Sequence, residues 1–139
     1  MILMLGLGGC ADMKTGRERI VKATPHCVDQ AVGIYFEPES AEVTKEGRAV
    51  ITAAAANSRP CKVASVDVLG LADSVGGAEA NLELSKRRAQ SVTAALTAAG
   101  LPAGEFKVQA AGQAGATTPS GQARPLRRRV DVVLHLSPA

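Results

Sequence analysis

Two opposite charges, Asp73 and Arg88, stand 15 residues apart in the stretch LADSVGGAEANLELSKRRAQ, residues 71–90. Asp73 sits among small and apolar neighbours before a Gly-Gly pair, and Arg88 falls inside an amphipathic pattern. Advancing about 100° per residue from Leu82 at zero places Ala78, Ala89, Val92 and Leu96 on one side, a core-facing stripe. Lys86 and Arg87 fall on the opposite, solvated arc. Arg88 does not join them: it falls near −120°, with Asn81 near −100° and Ser85 near −60°. These three side chains make a polar line along the edge of the buried stripe. An arginine at a core boundary needs a carboxylate or several acceptors, because an unpaired buried charge is strongly unfavourable. Asp73 therefore has three readings open to it: an ion-pair partner of Arg88, a turn-capping residue, or half of a ligand site.

The elements that must position these residues are legible from periodicity. AVGIYF (31–36) reads as a strand ended by Pro38, and Ser40 reads as the N-cap of a helix reaching about Asn57. VASVDVLG (63–70) reads as a second strand with Ala64, Val66 and Val68 on one face. A second helix is expected from Ala78 to Ala99, stopped by Gly100 with Pro102 beyond. EFKVQA (105–110) and RVDVVLHL (129–136) read as the third and fourth strands, separated by a Gly/Ala/Thr/Pro-rich loop over 111–126. The order β-α-β-α-β-β predicts an α+β domain of two layers, with both helices on one face of a four-stranded sheet. Asp73 then lies where the second strand feeds the second helix, the end of an α/β layer at which ligands commonly bind.

The chain has 139 residues, 46% of them apolar and 21% charged, which favours one folded domain. Its aromatics are Tyr35, Phe36 and Phe106, so the core is aliphatic. A net charge of +3 with three aromatics gives no stacking platform for single strands, and nucleic acid is not an expected partner. The histidines are His26, read as a loop residue, and His135, read as a solvated strand residue. Neither converges with Asp73, and no nucleophile–base or metal-ligand pattern is visible. No catalytic residue, metal or cofactor is expected.

MILMLGLGG, residues 1–9, carries no charge and is too short to span a bilayer. It suits the apolar core of a secretory signal without the usual basic start. LGGC (7–10) resembles a bacterial lipobox. Residues 1–10 are accordingly expected to be a truncated lipoprotein signal, with Cys10 the lipidation site and residues 11–28 a flexible tether. In an exported chain Cys27 and Cys61 form an even pair, expected to bridge rather than remain two reduced small hydrophobes.

GLAD…G…NLELSKRRAQSVTAAL resembles the OmpA-like peptidoglycan-binding domain. That family's hallmark is Gly-His-Thr-Asp at a strand end, a nearby glycine, then Asn-x-x-Leu-Ser-x-x-Arg-Ala-x-x-Val on a helix. Gly70, Asp73, Gly76, Asn81, Leu84, Ser85, Arg88, Ala89 and Val92 match. YFEPESAEV is similar to the family's first strand and its Phe-x-x-x-Ser entry, and LRRRVDVVL to its final Asn-Arg-Arg-Val strand. The resemblance covers about residues 31–136 and places the domain at 29–137. It implies a mixed sheet whose last strand is antiparallel and inserted between the first and second. In that order the first two strands are about 10 Å apart, so a Cys27–Cys61 bridge requires the flanking segments to converge.

The resemblance also implies a non-catalytic site for the diaminopimelate of the peptidoglycan stem peptide. Asp73 would take the ligand ammonium and Arg88 a carboxylate, with Asn81, Ser85 and Arg128 completing the site. The implied role is a lipoprotein at the periplasmic face of the outer membrane. It would be held there through Cys10, tied to the cell wall through peptidoglycan, and open to other envelope proteins as partners. Three positions depart from the pattern: Leu71 and Ala72 replace His and Thr, and Arg127 replaces Asn. Leu71 and Ala72 motivate the alternative of an OmpA-like interaction module that has lost wall binding.

Overall fold

The computed structural model describes residues 26–122 and 127–139. The expected lipobox with Cys10, most of the tether and the end of the long loop lie outside the described residues. The elements are β1 (Gln30–Tyr35), α1 (Lys45–Ser58), β2 (Cys61–Leu71), α2 (Ala78–Ala98), a short 3₁₀ turn (Ala103–Glu105), β3 (Phe106–Gly112) and β4 (Arg129–Pro138). The sheet order is β1-β4-β2-β3. β4 runs antiparallel to both β1 and β2, and β2 and β3 are parallel. This is the expected α+β architecture, with β4 between the first two strands.

Alternation builds the core. Ile34 of β1, Val66 and Val68 of β2, and Val130, Val132, Leu134 and Leu136 of β4 face the helices and are buried. Ile51 and Ala55 of α1 and Ala89, Val92 and Leu96 of α2 close over them. Gly70 sets how closely α2 approaches: a Cβ there would lie 2.1 Å from the Ser85 carbonyl oxygen. Only a residue without a side chain lets the helix backbone rest on β2.

Three local expectations are corrected. The α1 N-cap is Thr44, whose Oγ1 accepts from Gly47 N at 3.0 Å. Ser40 instead accepts from Glu42 N in a separate turn, and its carbonyl is taken by Arg88 rather than by a helical N–H. Ala64 is exposed and Val63 packs against the core. The register shift against β4 between Val63 and Ser65 reverses the alternation there. Leu82, taken as the centre of the buried stripe, is 36% exposed. The buried face of α2 is instead centred on Asn81, Ser85, Arg88 and Val92, so the polar line is not at the edge of the buried face but within it.

The cysteines do converge. Cys27, three residues before β1, is bonded to Cys61, the first residue of β2, with a Cα–Cα separation of 5.6 Å. The two meet where β4 runs out, since Cys61 pairs with Pro138.

Candidate functional site

The site gathers at the C-terminal end of β2. Arg88 is 0% exposed, the largest fully buried side chain among the described residues. Its Nε donates to Ser40 O at 2.8 Å, Nη1 to Leu71 O at 3.3 Å and Nη2 to Glu37 O at 3.1 Å. Its Cζ lies 5.3 Å from the centroid of the Phe36 ring. The guanidinium thus knits the turn after β1 to the end of β2 from beneath. A guanidinium has five N–H donors, so these three bonds leave one on each Nη. Burial lowers the Arg88 pKa from its ordinary value. Asp73 opposes that shift, and the neighbouring Arg128 and Arg87 add to it. The group remains a cation, as arginine does in proteins.

Asp73 is partly buried and makes no hydrogen bond or ion pair among the described residues. No contact within 4.0 Å joins it to Arg88, so the simple ion-pair reading of the two charges does not describe the molecule. Asp73 instead lines a cavity of about 150 Å³ with Pro38, Glu39, Val75, Asn81, Leu84 and Arg128. The volume accommodates the head group of an amino acid rather than a drug-sized ligand.

Asn81 and Ser85 are brought to this end, and both are engaged with the protein. Asn81 Nδ2 donates to Gln113 Oε1 at 2.8 Å. Ser85 Oγ donates to Leu82 O at 2.8 Å and accepts from Gly112 N at 3.0 Å, and the residue is 0% exposed. Together they latch the start of the β3–β4 loop onto α2. Gly112 makes this approach possible, with φ at +57° and a virtual Cβ 3.0 Å from Leu82 Cα. Ala72 N completes the latch by donating to Gly112 O at 2.8 Å.

The consecutive arginines divide their tasks. Arg128 faces the cavity. Arg127 donates through Nε to Ala72 O at 3.4 Å and through Nη2 to Ala114 O, joining the two loops that form the rim. Arg129 turns to the other face of the sheet, where Asp131 accepts from its Nε at 2.8 Å. Leu71 and Ala72 are 3% and 0% exposed. Their side chains belong to the interior, so these departures alter packing beneath the rim.

Sequence reasoning missed three features. Glu39, on the cavity wall, is the one non-glycine residue with positive φ among those described, at 59°. Such a conformation costs about 1–2 kcal/mol. Arg88 holds it by gripping the carbonyls of Glu37 and Ser40 on either side. Gln113 was lost in a low-complexity loop. The third lies on the sheet face away from the helices. There His135 Nδ1 meets Asp29 Oδ2 and Nε2 meets Asp67 Oδ2, each at 2.8 Å. Hydrogen bonds to Asp67 and Asp29 raise the His135 pKa above its ordinary value. No sequence signal joins residues 29, 67 and 135. Their meeting is a consequence of strand order.

With this geometry in view, comparison with known proteins is decisive about the family. The OmpA family model matches residues 35–129. The chain belongs to the OmpA family. Among curated relatives, a probable lipoprotein, YiaD, of Escherichia coli is 31% identical over 73% of this chain and 47% of its own length. An outer membrane protein of Gluconacetobacter diazotrophicus is 30% identical over 73% of this chain and 29% of its own. The OmpA-family chain therefore spans about half, or less, of the length of these two relatives. Among solved structures, the cell wall anchor of the type VI secretion system from Pseudomonas aeruginosa is 26% identical, with a TM-score of 0.61. That match covers 78% of this chain and 82% of the anchor. The peptidoglycan-associated lipoprotein of Burkholderia pseudomallei shares the fold, with 24% identity, a TM-score of 0.59, and 73% and 88% coverage.

Proposed function

We propose that this chain is a non-catalytic, peptidoglycan-binding envelope lipoprotein whose site takes the zwitterionic end of diaminopimelate. The observation that carries this reading is Asp73: a partly buried carboxylate without a hydrogen-bonding or ion-pairing partner among the described residues, on a cavity wall it shares with Arg128 and within the electrostatic reach of the buried Arg88. A ligand ammonium pairs with the Asp73 carboxylate. A ligand carboxylate is drawn to Arg128 on the cavity wall, and the buried Arg88 acts on it only through its field. Asn81 and Ser85 act by fixing the rim, with Ser85 inside the fold. Relatives named as a lipoprotein and as a cell wall anchor support the assignment, and LGGC supports lipid attachment at Cys10 and residence at the outer membrane. Binding, rather than chemistry, is what this arrangement performs.

One observation favours the alternative of a module without wall binding. All three Arg88 nitrogens already have backbone acceptors, so the residue has a full structural task without ligand. Co-sedimentation with isolated sacculi separates the two. The binding reading expects the wild-type chain to pellet and Asp73→Asn to remain in the supernatant while folded. If wild type stays in solution, or Asp73→Asn pellets equally, the alternative stands.

A further inference from the structure

The disulfide and the candidate site sit at opposite ends of one strand. β2 begins at Cys61 and ends at Leu71, two residues before Asp73. Its 11 residues span about 35 Å. It is hydrogen-bonded on both sides, to β4 and to β3. β1 is an edge strand whose ladder is six residue pairs to β4. The chain enters the domain at the Cys27 end, and Cys27 is covalently joined to the start of β2. A second tie crosses the same gap: Asp29, in the same short segment, is joined through His135 to Asp67 of β2.

We propose that β2 is a tension rod between the N-terminal attachment and the ligand site, with the Cys27–Cys61 bond as its coupling. The idea rests on the reading of this protein as a tether between membrane and wall. A pull on the N-terminal segment passes through the disulfide into β2 and along its backbone to the turn bearing Asp73. Every link in that path is covalent. The closed loop containing β1 and α1 lies outside it and stays folded under tension. Without the bond, the same pull enters edge strand β1, and its ladder and then α1 yield before β2 is reached.

Force spectroscopy on the unlipidated full chain tests this without any ligand. One handle is attached to the Cys10 thiol. The other is attached to a thiol introduced by Val75→Cys, in the Asp73 turn, where the residue is 74% exposed. With the disulfide intact, no unfolding step is expected between the handles at forces that unfold the domain in other directions. After reduction, a step is expected from release of the 34-residue separation, about 120 Å at full extension. A second geometry keeps the disulfide intact and pulls between the C-terminus and the same Val75→Cys thiol. Tension must then cross the β4–β2 ladder, and unfolding is expected at a force at least twofold lower than any event seen from Cys10. A step of that size with the bond intact, or equal unfolding forces in the two geometries, overturns the proposal. The second geometry decides even if the reduced chain does not fold. Failure to bind sacculi would remove the ligand reading and leave this directional strength measurable.

Discussion

The two ends of β2 handle charge in opposite ways. Toward the Cys61 end the flanking segment is covalently closed, and at mid-strand, opposite Ser65, His135 lies between two carboxylates. At the Leu71 end, a buried guanidinium is bound to carbonyl oxygens, and the nearby carboxylate of Asp73 has no direct partner among the described residues. A stability-optimised pair would have placed Asp73 against Arg88. Instead Asp73 stands on a cavity wall, while Arg88 is committed to the carbonyls beneath it. The contrast teaches that the second end satisfies its buried cation with backbone carbonyls and leaves Asp73 on a cavity wall, the arrangement on which the proposed function rests.

The sharpest way to break the contrast is to remove Arg88. Arg88→Ala leaves three backbone carbonyls without their donor in a closed interior, and the expected loss exceeds about 3 kcal/mol. A chemical denaturation midpoint would register it, and Arg88→Lys would restore charge without the fork and recover only part of it. An unchanged midpoint for Arg88→Ala would mean the guanidinium is not a structural centre. At the other end, Cys27→Ser opens a loop whose closure is worth about 3–4 kcal/mol in the chain-entropy model. The midpoint should fall accordingly, with no change in ligand affinity measured under conditions where the variant is folded. Asp73→Asn sharpens the comparison differently. Its midpoint should stay within about 0.5 kcal/mol of wild type, while affinity for a diaminopimelate-containing peptide falls at least tenfold, about 1.4 kcal/mol.

The smallest effect concerns pH. His135 has a raised folded pKa, so its contribution is fully present below the ordinary histidine value of about 6.5 and fades as pH rises through the higher folded value. The stability gap between wild type and His135→Gln should be widest near pH 5 and should narrow toward pH 9. A gap that widens with pH would contradict the bracketing by Asp29 and Asp67.

What could be read from the sequence was what repeats or what spacing fixes. The period of β4 and the stop at Gly100 both survived folding, because local periodicity and a short turn determine them. The family pattern also carried the strand order. What was hidden depended on contacts between distant segments. The acceptors of Arg88 are carbonyls 48 and 51 residues away as well as Leu71, and a carbonyl has no sequence signature. Leu82 looked like a core residue because its type is apolar, but the sheet meets α2 on the face of Ser85 and Arg88. Ala64 was misplaced by one bulge, which no pattern of alternation announces. His135 read as solvated because its partners come from two other segments.

The central claim is that Asp73 and the arginines serve one ligand carrying both an ammonium and a carboxylate at the same end. Calorimetric titration of the wild-type chain with two stem peptides, identical except for diaminopimelate or lysine at the third position, measures this most directly. Lysine keeps the side-chain ammonium and lacks the second carboxylate. The account predicts at least tenfold tighter binding of the diaminopimelate peptide, with that preference lost in Arg128→Ala. Equal affinity for both peptides, or no heat with either, would contradict it.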